Sequence, residues 1–226
     1  MPDFQFPIFN YQFPLFQGLS HGELMQMAGN TKFGFMKLPA GKTVFGEGDV
    51  CQQLFFLVSG SLLLITRSAD GGYSLTEHIA APWMMQPEAL FGLQPRFSST
   101  CTTATLCHFI TLSKEEVARL TDEFLIIRLN LLNLLSTKMQ RMGRQQWRSA
   151  PRSLTERFVR FVLDRSTHPA GSKQLNILMT RLADELGDSR LDVSRMLRQL
   201  ESQGLLQLHR GRISIPSLEK VITTSH

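Results

Sequence analysis

The sequence predicts an α+β protein built from an N-terminal β-roll, one long helix, and a C-terminal domain of short helices with a β-hairpin. Three observations lead to this fold class. Short apolar runs separated by glycine-rich turns fill residues 38–112. From residue 113 the apolar residues recur every three to four positions, which is the helical period. After Ala150-Pro151 the chain returns to short helical segments and ends in a basic two-strand pattern.

Length and composition restrict the class of protein. A chain of 226 residues that is 42% hydrophobic can bury a core, which excludes a disordered or fibrous protein. Polar residues interrupt every apolar stretch well before the roughly 20 residues that a membrane span needs. The N-terminal stretch "MPDFQFPIFNYQFPLF" has no basic region and no small-residue cleavage site, which argues against a signal peptide. We therefore expect a cytoplasmic protein without a membrane partner.

The three cysteines, Cys51, Cys101 and Cys107, form an odd set without a CxxC motif. This spacing argues against disulfides, zinc and iron–sulfur clusters, so we expect buried thiols and no metal site. The sequence also contains no nucleophile motif, phosphate-binding loop or HExxH pair, so we expect no catalytic residues. An enzyme is the least favoured class of function.

The charge is distributed unevenly along the chain. Residues 1–150 contain 12 Lys/Arg and 11 Asp/Glu, a net charge of +1, whereas the last 76 residues contain 12 and 8, a net charge of +4. Such an asymmetry is typical of a small nucleic-acid-binding domain attached to a near-neutral domain.

Antiparallel strands are indicated between residues 38 and 112. The runs "GKTVFGEGD", "QLFFLVSGSLLLITRSADGGYSLTEHIA" and "CTTATLCHFITL" alternate with glycine turns, which predicts a small barrel or a double-stranded β-helix. Before them, Ser20 and Glu23 form a capping-box pattern ahead of Leu24 and Met27, which predicts a short helix.

A long helix is predicted to begin near Ser113, where "SKEE" repeats the capping pattern. A heptad spacing of 4, 3, 4 and 3 predicts a homodimer seam formed by Leu120, Phe124, Ile127, Leu131 and Leu134. The alternative is a helix that packs on its own barrel. A second apolar stripe allows both contacts at once; it contains Leu125, Ile126, Leu129, Leu132 and Leu135. Pro151 ends the helix and marks a hinge.

These features predict three parts of the chain. Residues 1–118 form a β-roll sensor domain, residues 119–149 a dimerisation helix, and residues 150–226 the C-terminal domain. The last part begins with "SLTERFVRFVLDRS", a pattern that places its apolar residues on one face of a helix: Leu154, Phe158, Phe161 and Val162.

The segment "TRLADELGDSRLDVSRMLRQLESQG" predicts a helix from Thr180 to Leu186, a turn at Gly187-Asp188 and a second helix from Ser189 to about Gln203. Two helices joined in this way form a helix-turn-helix. The outer face of the second helix is predicted to carry Ser189, Arg190, Asp192, Ser194, Arg195 and Arg198. An ordinary solvated helix would mix Glu and Lys, whereas three arginines suit a helix that reads the major groove of double-stranded DNA.

The next segment, "LLQLHRGRISI", predicts two strands joined at Arg210-Gly211. Such a hairpin would form a wing beside the helix-turn-helix. Its arginines, Arg210 and Arg212, are expected to contact backbone phosphates.

This order of parts, from "PLFQGLSHGEL" to the wing, resembles the CRP/FNR family of bacterial transcription regulators over nearly the whole chain. The most specific match is "GDSRLDVSRMLRQLESQGLL". The resemblance implies a cyclic-nucleotide-binding-like β-roll, a homodimer, a pseudo-palindromic DNA site and RNA polymerase as a further partner. It also implies that Arg190 and Arg195 read bases and phosphates, and that Ser189 contacts DNA.

One departure lies in the recognition helix. The family usually has an acidic residue after the first arginine, and this chain has Leu191. A leucine cannot accept a hydrogen bond from cytosine, so the best-known half-site is not expected, and a thymine methyl group is one alternative contact.

The effector region also departs from the family. Members that bind cyclic AMP use a Gly-Glu-Leu segment and an Arg-Ser pair, and this chain reads "MQPEALFGLQPRFSST". Proline replaces the glycine, the arginine position falls on Phe97, and the adenine-contacting pair falls on Met142-Gly143. We therefore expect no cyclic AMP binding, although four residues remain as an effector-pocket hypothesis: Glu88, Arg96, Ser98 and Ser99.

The sequence also does not support the iron–sulfur or haem sensors that other members of the family use. The N-terminal cysteines of the iron–sulfur members are absent, and His78 and His108 are the only barrel histidines that could ligate haem. An apolar effector, a protein or redox signal, and the absence of an effector all stay open. The leading hypothesis is a DNA-binding regulator; a ligand-binding module that acts through protein contacts is the alternative.

Overall fold

The computed structural model describes residues 13–145 and 147–224, so most of the stretch considered for a signal peptide lies outside the described residues. The contacts divide the chain into two compact units. The first comprises Met1–Leu62, Ala80–Ser98 and Thr102–Trp147, and the second comprises Leu63–Ile79, Ser99–Cys101 and Arg148–His226. Within the described ranges no helix is long and apolar enough to cross a membrane.

The first unit begins with a 3-10 turn at Pro14–Phe16 and helix α1, His21–Asn30. The predicted capping box is confirmed, because Ser20 Oγ accepts from the backbone N–H of Glu23 and the Glu23 carboxylate accepts from the backbone N–H of Ser20. Leu24 and Met27 are buried, as predicted.

In the described residues before the long helical segment there are eight strands, in agreement with the predicted β-roll. They are β1 Gly34–Leu38, β2 Thr43–Phe45, β3 Gln53–Ser59, β4 Ser61–Arg67, β5 Tyr73–Ala80, β6 Trp83–Met85, β7 Thr100–Thr103 and β8 Cys107–Ser113. A four-residue helix, α2 Glu88–Phe91, follows β6. In the first unit, β1, β8, β3 and β6 form one sheet in that order, and its apolar side chains enclose a core. All three cysteines are buried thiols, as expected.

The predicted single long helix is two helices, α3 Lys114–Glu123 and α4 Leu125–Gln145. Ser113 caps α3 as predicted, by accepting from the backbone N–H of Glu116. The break lies at Phe124, whose backbone is extended (φ −116°, ψ 107°). Arg128 stabilises the break, since its guanidinium donates to the carbonyls of Thr121 (2.7 Å) and Asp122 (3.2 Å), which the end of α3 leaves without helical partners.

Most of the predicted dimer seam lies inside a single chain. Leu120, Phe124, Ile127 and Leu131 are 0–8% exposed within a single chain, and Leu134 is half-buried. Side chains this deeply buried cannot also contact a second copy. Asn130 adds to the internal packing of this face by donating from Nδ2 to the carbonyls of Leu15 and Gln17.

The exposed face of α4 is instead part of the second apolar stripe. Leu125, Leu129, Leu132 and Met139 are 48–72% exposed and follow one another at intervals of 4, 3 and 7 residues. Both stripes have nearly the same period, so the sequence pattern alone could not distinguish the inner one from the outer one.

The second unit contains the C-terminal elements. They are α5 Leu154–Arg165, β9 Lys173–Ile177, α6 Met179–Leu186, α7 Arg190–Ser202, β10 Gln207–His209, β11 Arg212–Ile215 and α8 Leu218–Thr224. The predicted helix-turn-helix and wing are therefore confirmed within one or two residues. The apolar faces of α5, α6 and α7 meet in one core, which includes Phe158, Leu182, Val193 and Leu197.

The β4–β5 hairpin (Ser61–Ala80) is also part of this second unit, from Leu63 to Ile79. Strand β5 pairs with β9 in antiparallel register, from Tyr73 opposite Ile177 to Glu77 opposite Lys173, so the sheet runs β10-β11-β9-β5-β4. Leu75 of the hairpin lies in the core of the C-terminal helices.

A buried ion pair lies at one end of this strand pairing. Lys173 Nζ is 3.3 Å from Glu77 Oε2, and both side chains are at most 1% exposed. The Glu77 carboxylate also accepts from the backbone N–H groups of Thr167 (2.7 Å) and His168 (3.0 Å), and Lys173 donates to the carbonyl of Ala170 (2.6 Å). Because both charges have additional hydrogen bonds, the pair is tolerated inside the protein.

Polar contacts also hold the tip of the hairpin. Asp70 pairs with Arg181 of α6 at 2.8 Å, and Arg165 donates to the hydroxyl of Tyr73 at 2.6 Å. The hydrogen bond from Ser68, the backbone N–H of Gly72 and the nearby Arg181 keep the pKa of Asp70 below its usual value. The hairpin is thus attached to both the sheet and the first helix of the helix-turn-helix.

Candidate nucleic-acid interface

The turn between α6 and α7 is held by its own backbone and by α5. Gly187 adopts a left-handed conformation (φ +62°) that ends α6, which explains the glycine. Arg157 of α5 donates to the carbonyls of Leu186 (2.7 Å) and Gly187 (3.2 Å) and pairs with Asp188. These contacts fix the direction in which α7 leaves the turn.

The first turn of α7 is capped by its own side chains. Ser189 Oγ accepts from the backbone N–H of Asp192 at 3.1 Å and donates to its carboxylate at 2.6 Å. The other carboxylate oxygen of Asp192 accepts from Arg195 at 2.8 Å. Three residues predicted to contact DNA are therefore linked to one another in the free protein, and Arg195 carries a neutralising partner.

The remaining polar residues of α7 face solvent. Arg190 and Arg198 are exposed, and their guanidiniums make no hydrogen bond or ion pair with any residue that the structure describes. Ser194 is half-exposed between them. The opposite side of α7 is buried in the core through Val193, Met196, Leu197 and Leu200.

The wing presents two further arginines. Strands β10 and β11 pair with His209 opposite Arg212, so Arg210 and Gly211 form a two-residue turn. Both Arg210 and Arg212 are exposed and have no side-chain partner among the described residues.

Four arginines of α5 and α6 are paired internally. Arg157, Arg160, Arg165 and Arg181 each form an ion pair with an Asp or Glu side chain. The arginines of α7 and the wing therefore differ from those of α5 and α6, because no acidic side chain among the described residues neutralises Arg190, Arg198, Arg210 or Arg212.

Comparison with known protein families agrees with this geometry. The family model for the cyclic nucleotide-binding domain matches residues 35–124, and the model for the Crp-like helix-turn-helix domain matches residues 156–222. The chain belongs to the CRP/FNR family of transcription regulators. The predicted resemblance and fold class are thereby confirmed.

Curated CRP/FNR relatives are distant but extend over most of the chain. The cAMP-activated global transcriptional regulator CRP of Haemophilus influenzae is 24% identical over 179 residues, which cover 76% of this chain and 80% of the relative. The cAMP-activated global transcriptional regulator Vfr of Pseudomonas aeruginosa is 25% identical and is matched over 83% of its length.

Solved structures show the same fold. The catabolite activator protein of Thermus thermophilus superposes with a TM-score of 0.54 at 22% identity, over 95% of this chain and all of that one. The c-di-GMP responsive regulator CLP of Xanthomonas campestris reaches 0.51 at 23% identity, over 87% and 99% of the two chains.

The four residues of the effector-pocket hypothesis have separate partners. Glu88 forms an ion pair with Lys138 of α4, and Arg96 is exposed and donates to the carbonyl of Gly48 at 2.7 Å. Ser98 donates through its backbone N–H to the side chain of Gln86 at 3.0 Å, and Ser99 is 1% exposed. Neither Lys138 nor Gln86 could be identified from the sequence. Lys138 lies far from its partner Glu88 along the chain, and Gln86 has an unusual backbone conformation (φ +37°) that no sequence pattern indicates.

Phe97 is the residue on which the resemblance to the family places the arginine of the cyclic-AMP-binding members. It is 4% exposed and stacks on Phe45, with ring centroids 3.8 Å apart and Phe55 beside them. Arg96, which precedes Phe97, faces solvent, in agreement with the alternation of side chains along an extended segment. Phe97 is therefore part of an aromatic cluster with Phe45 and Phe55.

Neither barrel histidine lies in a group of potential metal ligands. His108 hydrogen-bonds through Nδ1 to Ser59 at 2.8 Å, and the side chain of His78 is exposed. Among the described residues no three His, Cys, Asp or Glu side chains are grouped so that they could hold a metal ion.

Proposed function

We propose that this chain acts as a homodimeric transcription regulator that binds double-stranded DNA at a pseudo-palindromic site in the cytoplasm and works through RNA polymerase. The observation that carries the proposal is that some arginines have an ion-pair partner inside the protein and others do not. Four arginines of α5 and α6 are ion-paired, whereas Arg190, Arg198, Arg210 and Arg212 are exposed and uncompensated on a recognition helix and its wing. Positive charge left free in this way is what phosphate and guanine recognition require.

The proposed roles follow from these environments. Arg190, at the start of α7, reads base edges, because its guanidinium has no internal partner to give up. Arg195 must first exchange its ion pair with Asp192 for a contact to DNA, and Ser189 and Asp192 orient it. Arg198 and Ser194 extend the same face, and Arg210 and Arg212 contact phosphates.

Sequence-specific binding is the test of this function. Purified protein is incubated with a pool of random duplexes, and bound DNA is amplified over several rounds. A regulator enriches one motif, and its affinity for that motif falls steeply with salt. A chain that enriches no DNA would instead support the alternative, a ligand-binding module that acts through protein contacts.

Alanine at Arg210 is expected to weaken binding to the selected duplex and to an unrelated duplex by the same factor. A phosphate contact carries no sequence information, so the change should also reduce the salt slope by about 1 for each phosphate that is no longer neutralised. Fluorescence anisotropy titrations at several salt concentrations measure both quantities. A weakening confined to the selected duplex would show that Arg210 reads bases.

We propose that two copies pair along the exposed stripe of α4. Leu125, Leu129, Leu132 and Met139 are spaced like the seam of a coiled coil, and membership of the CRP/FNR family supports dimerisation. A two-fold axis there would place two copies of α7 in successive major grooves, about 34 Å apart.

Aspartate at Leu132 is expected to convert the dimer into a monomer, because it would bury a charge in an apolar seam. Leu106 is a matched control, since it is similarly exposed (49% against 53%) and lies outside the stripe. Sedimentation velocity should give the mass of one chain for Leu132→Asp and of two chains for Leu106→Asp. A dimer in both variants would place the interface elsewhere.

We also propose that the effector is not cyclic AMP, although the relatives of Haemophilus influenzae and Pseudomonas aeruginosa are named as cAMP-activated. Phe97 fills the position of the phosphate-binding arginine, and Lys138 already neutralises Glu88. Titration calorimetry with cyclic AMP and cyclic GMP should give no saturable heat. Micromolar binding would show that the region opens to accept a phosphate.

A further inference from the structure

We propose that Leu191 reads the methyl group of a thymine in each half-site and so determines which DNA this regulator selects. This inference rests on the proposed function, because it names a base that the recognition helix prefers. It assigns a specificity role to a residue that carries no charge and no hydrogen-bonding group.

The direction of Leu191 follows from the helical period of 100° per residue. The buried side of α7 is defined by Val193, Met196, Leu197 and Leu200. Leu191 lies within about 10° of the direction opposite to the mean of these four. No other residue of the first turn points so directly away from the core, so Leu191 is the residue that would enter a groove most deeply.

Its exposure is consistent with such a role. Leu191 is 67% exposed, whereas every other large apolar residue of α7 is buried. Arg195 and Arg198 follow it one and two turns later on the same face, and both are exposed. An apolar side chain is thus placed between the helix start and two cations that would contact DNA.

The chemistry of the groove identifies the partner. In the major groove the base pairs present hydrogen-bond donors and acceptors, and the thymine 5-methyl group is the apolar exception. A leucine can gain free energy only from that group, because cytosine, adenine and guanine offer it no partner. Flanking arginines would hold the helix by phosphate or guanine contacts while Leu191 covers the methyl.

Deoxyuridine provides the test, because it differs from thymidine only by this methyl group. The duplex selected by the wild-type protein is made with uracil at one thymine position at a time, symmetrically in both half-sites, and affinities are measured by anisotropy. At one position the affinity should fall about fourfold per half-site, which corresponds to one methyl group withdrawn from an apolar contact. Uracil at the other thymines should have little effect.

Three variants assign the effect to Leu191. In Leu191→Ala the uracil substitution should make no difference, and in Leu191→Met, which keeps an apolar side chain of similar volume, the dependence should persist. Leu191→Glu should shift the selected base at that position to cytosine, whose amino group a carboxylate can accept from.

The outcomes separate the inference from the function on which it rests. A selected duplex that binds equally well with uracil at every thymine, or a methyl effect that is unchanged in Leu191→Ala, would overturn the inference and leave the regulator intact. A protein that enriches no DNA at all would overturn both.

Discussion

Replacing Glu77 by alanine is expected to lower the free energy of unfolding by about 3–5 kcal/mol. The change leaves the ammonium of Lys173 without its counter-charge at a site where neither side chain is more than 1% exposed. It also removes the acceptor for the backbone N–H groups of Thr167 and His168. A buried charge and two partly buried donors that lose their acceptor together account for an effect of this size.

Differential scanning calorimetry of the full chain measures this effect. The transition that includes the second unit should move down by about 12–40 °C, since a domain of about 100 residues loses roughly 4–8 °C per kcal/mol. The control is Asp122→Ala, which removes the exposed partner of Arg128 at 3.6 Å and should cost at most about 1 kcal/mol. A shift for Glu77→Ala as small as that of the control would contradict the stabilising role of the buried pair.

Glu77→Leu combined with Lys173→Met should recover part of the stability that Glu77→Ala removes. The double variant eliminates both charges, so no ion stays buried without a partner. The recovery should be incomplete because Thr167 and His168 still lack the acceptor that Glu77 provided.

Alanine at Arg190 is expected to reduce affinity for the selected site by about 1–3 kcal/mol per half-site and to relax the preference for one base there. Binding to unrelated DNA should change far less, because a base contact contributes nothing there. Fluorescence anisotropy titrations on the selected duplex and on an unrelated duplex measure the ratio of specific to non-specific affinity. Unchanged specific affinity would show that the recognition helix is docked in a different register.

Lys220→Ala is the matched control for Arg190→Ala. Lys220 lies in α8 of the same unit, is exposed, and carries one positive charge that is outside α7 and the wing. Its removal should leave the ratio of specific to non-specific affinity unchanged. A similar decrease in specificity in both variants would indicate a general effect of charge.

The recognition helix could be predicted closely because its signals are local. Ser189 caps it, Gly187 ends the preceding helix, and the apolar residues that pack inward follow the helical period. The wing is equally local, since a two-residue turn joins its strands. Elements that are stabilised by residues close to them in sequence can be predicted from the sequence pattern.

The contacts of the hairpin could not be predicted in the same way. Strands β5 and β9 are distant in sequence, and the alternation of Tyr73–Ala80 fits any partner strand. The break at Phe124 depends on the side chain of Arg128, which donates to two carbonyls of the preceding helix. The two stripes of α4 differ only in whether the rest of the chain buries them. Each of these features depends on tertiary contacts.

The proposed function requires that two copies of α7 read one DNA site together. Hydroxyl-radical footprinting of the selected duplex, combined with the stoichiometry from sedimentation, tests this requirement. We expect two chains per duplex and two protected patches on one face of the DNA, with centres about 10 base pairs apart. One chain per duplex, or a single continuous patch without two-fold symmetry, would contradict the proposed dimeric reader.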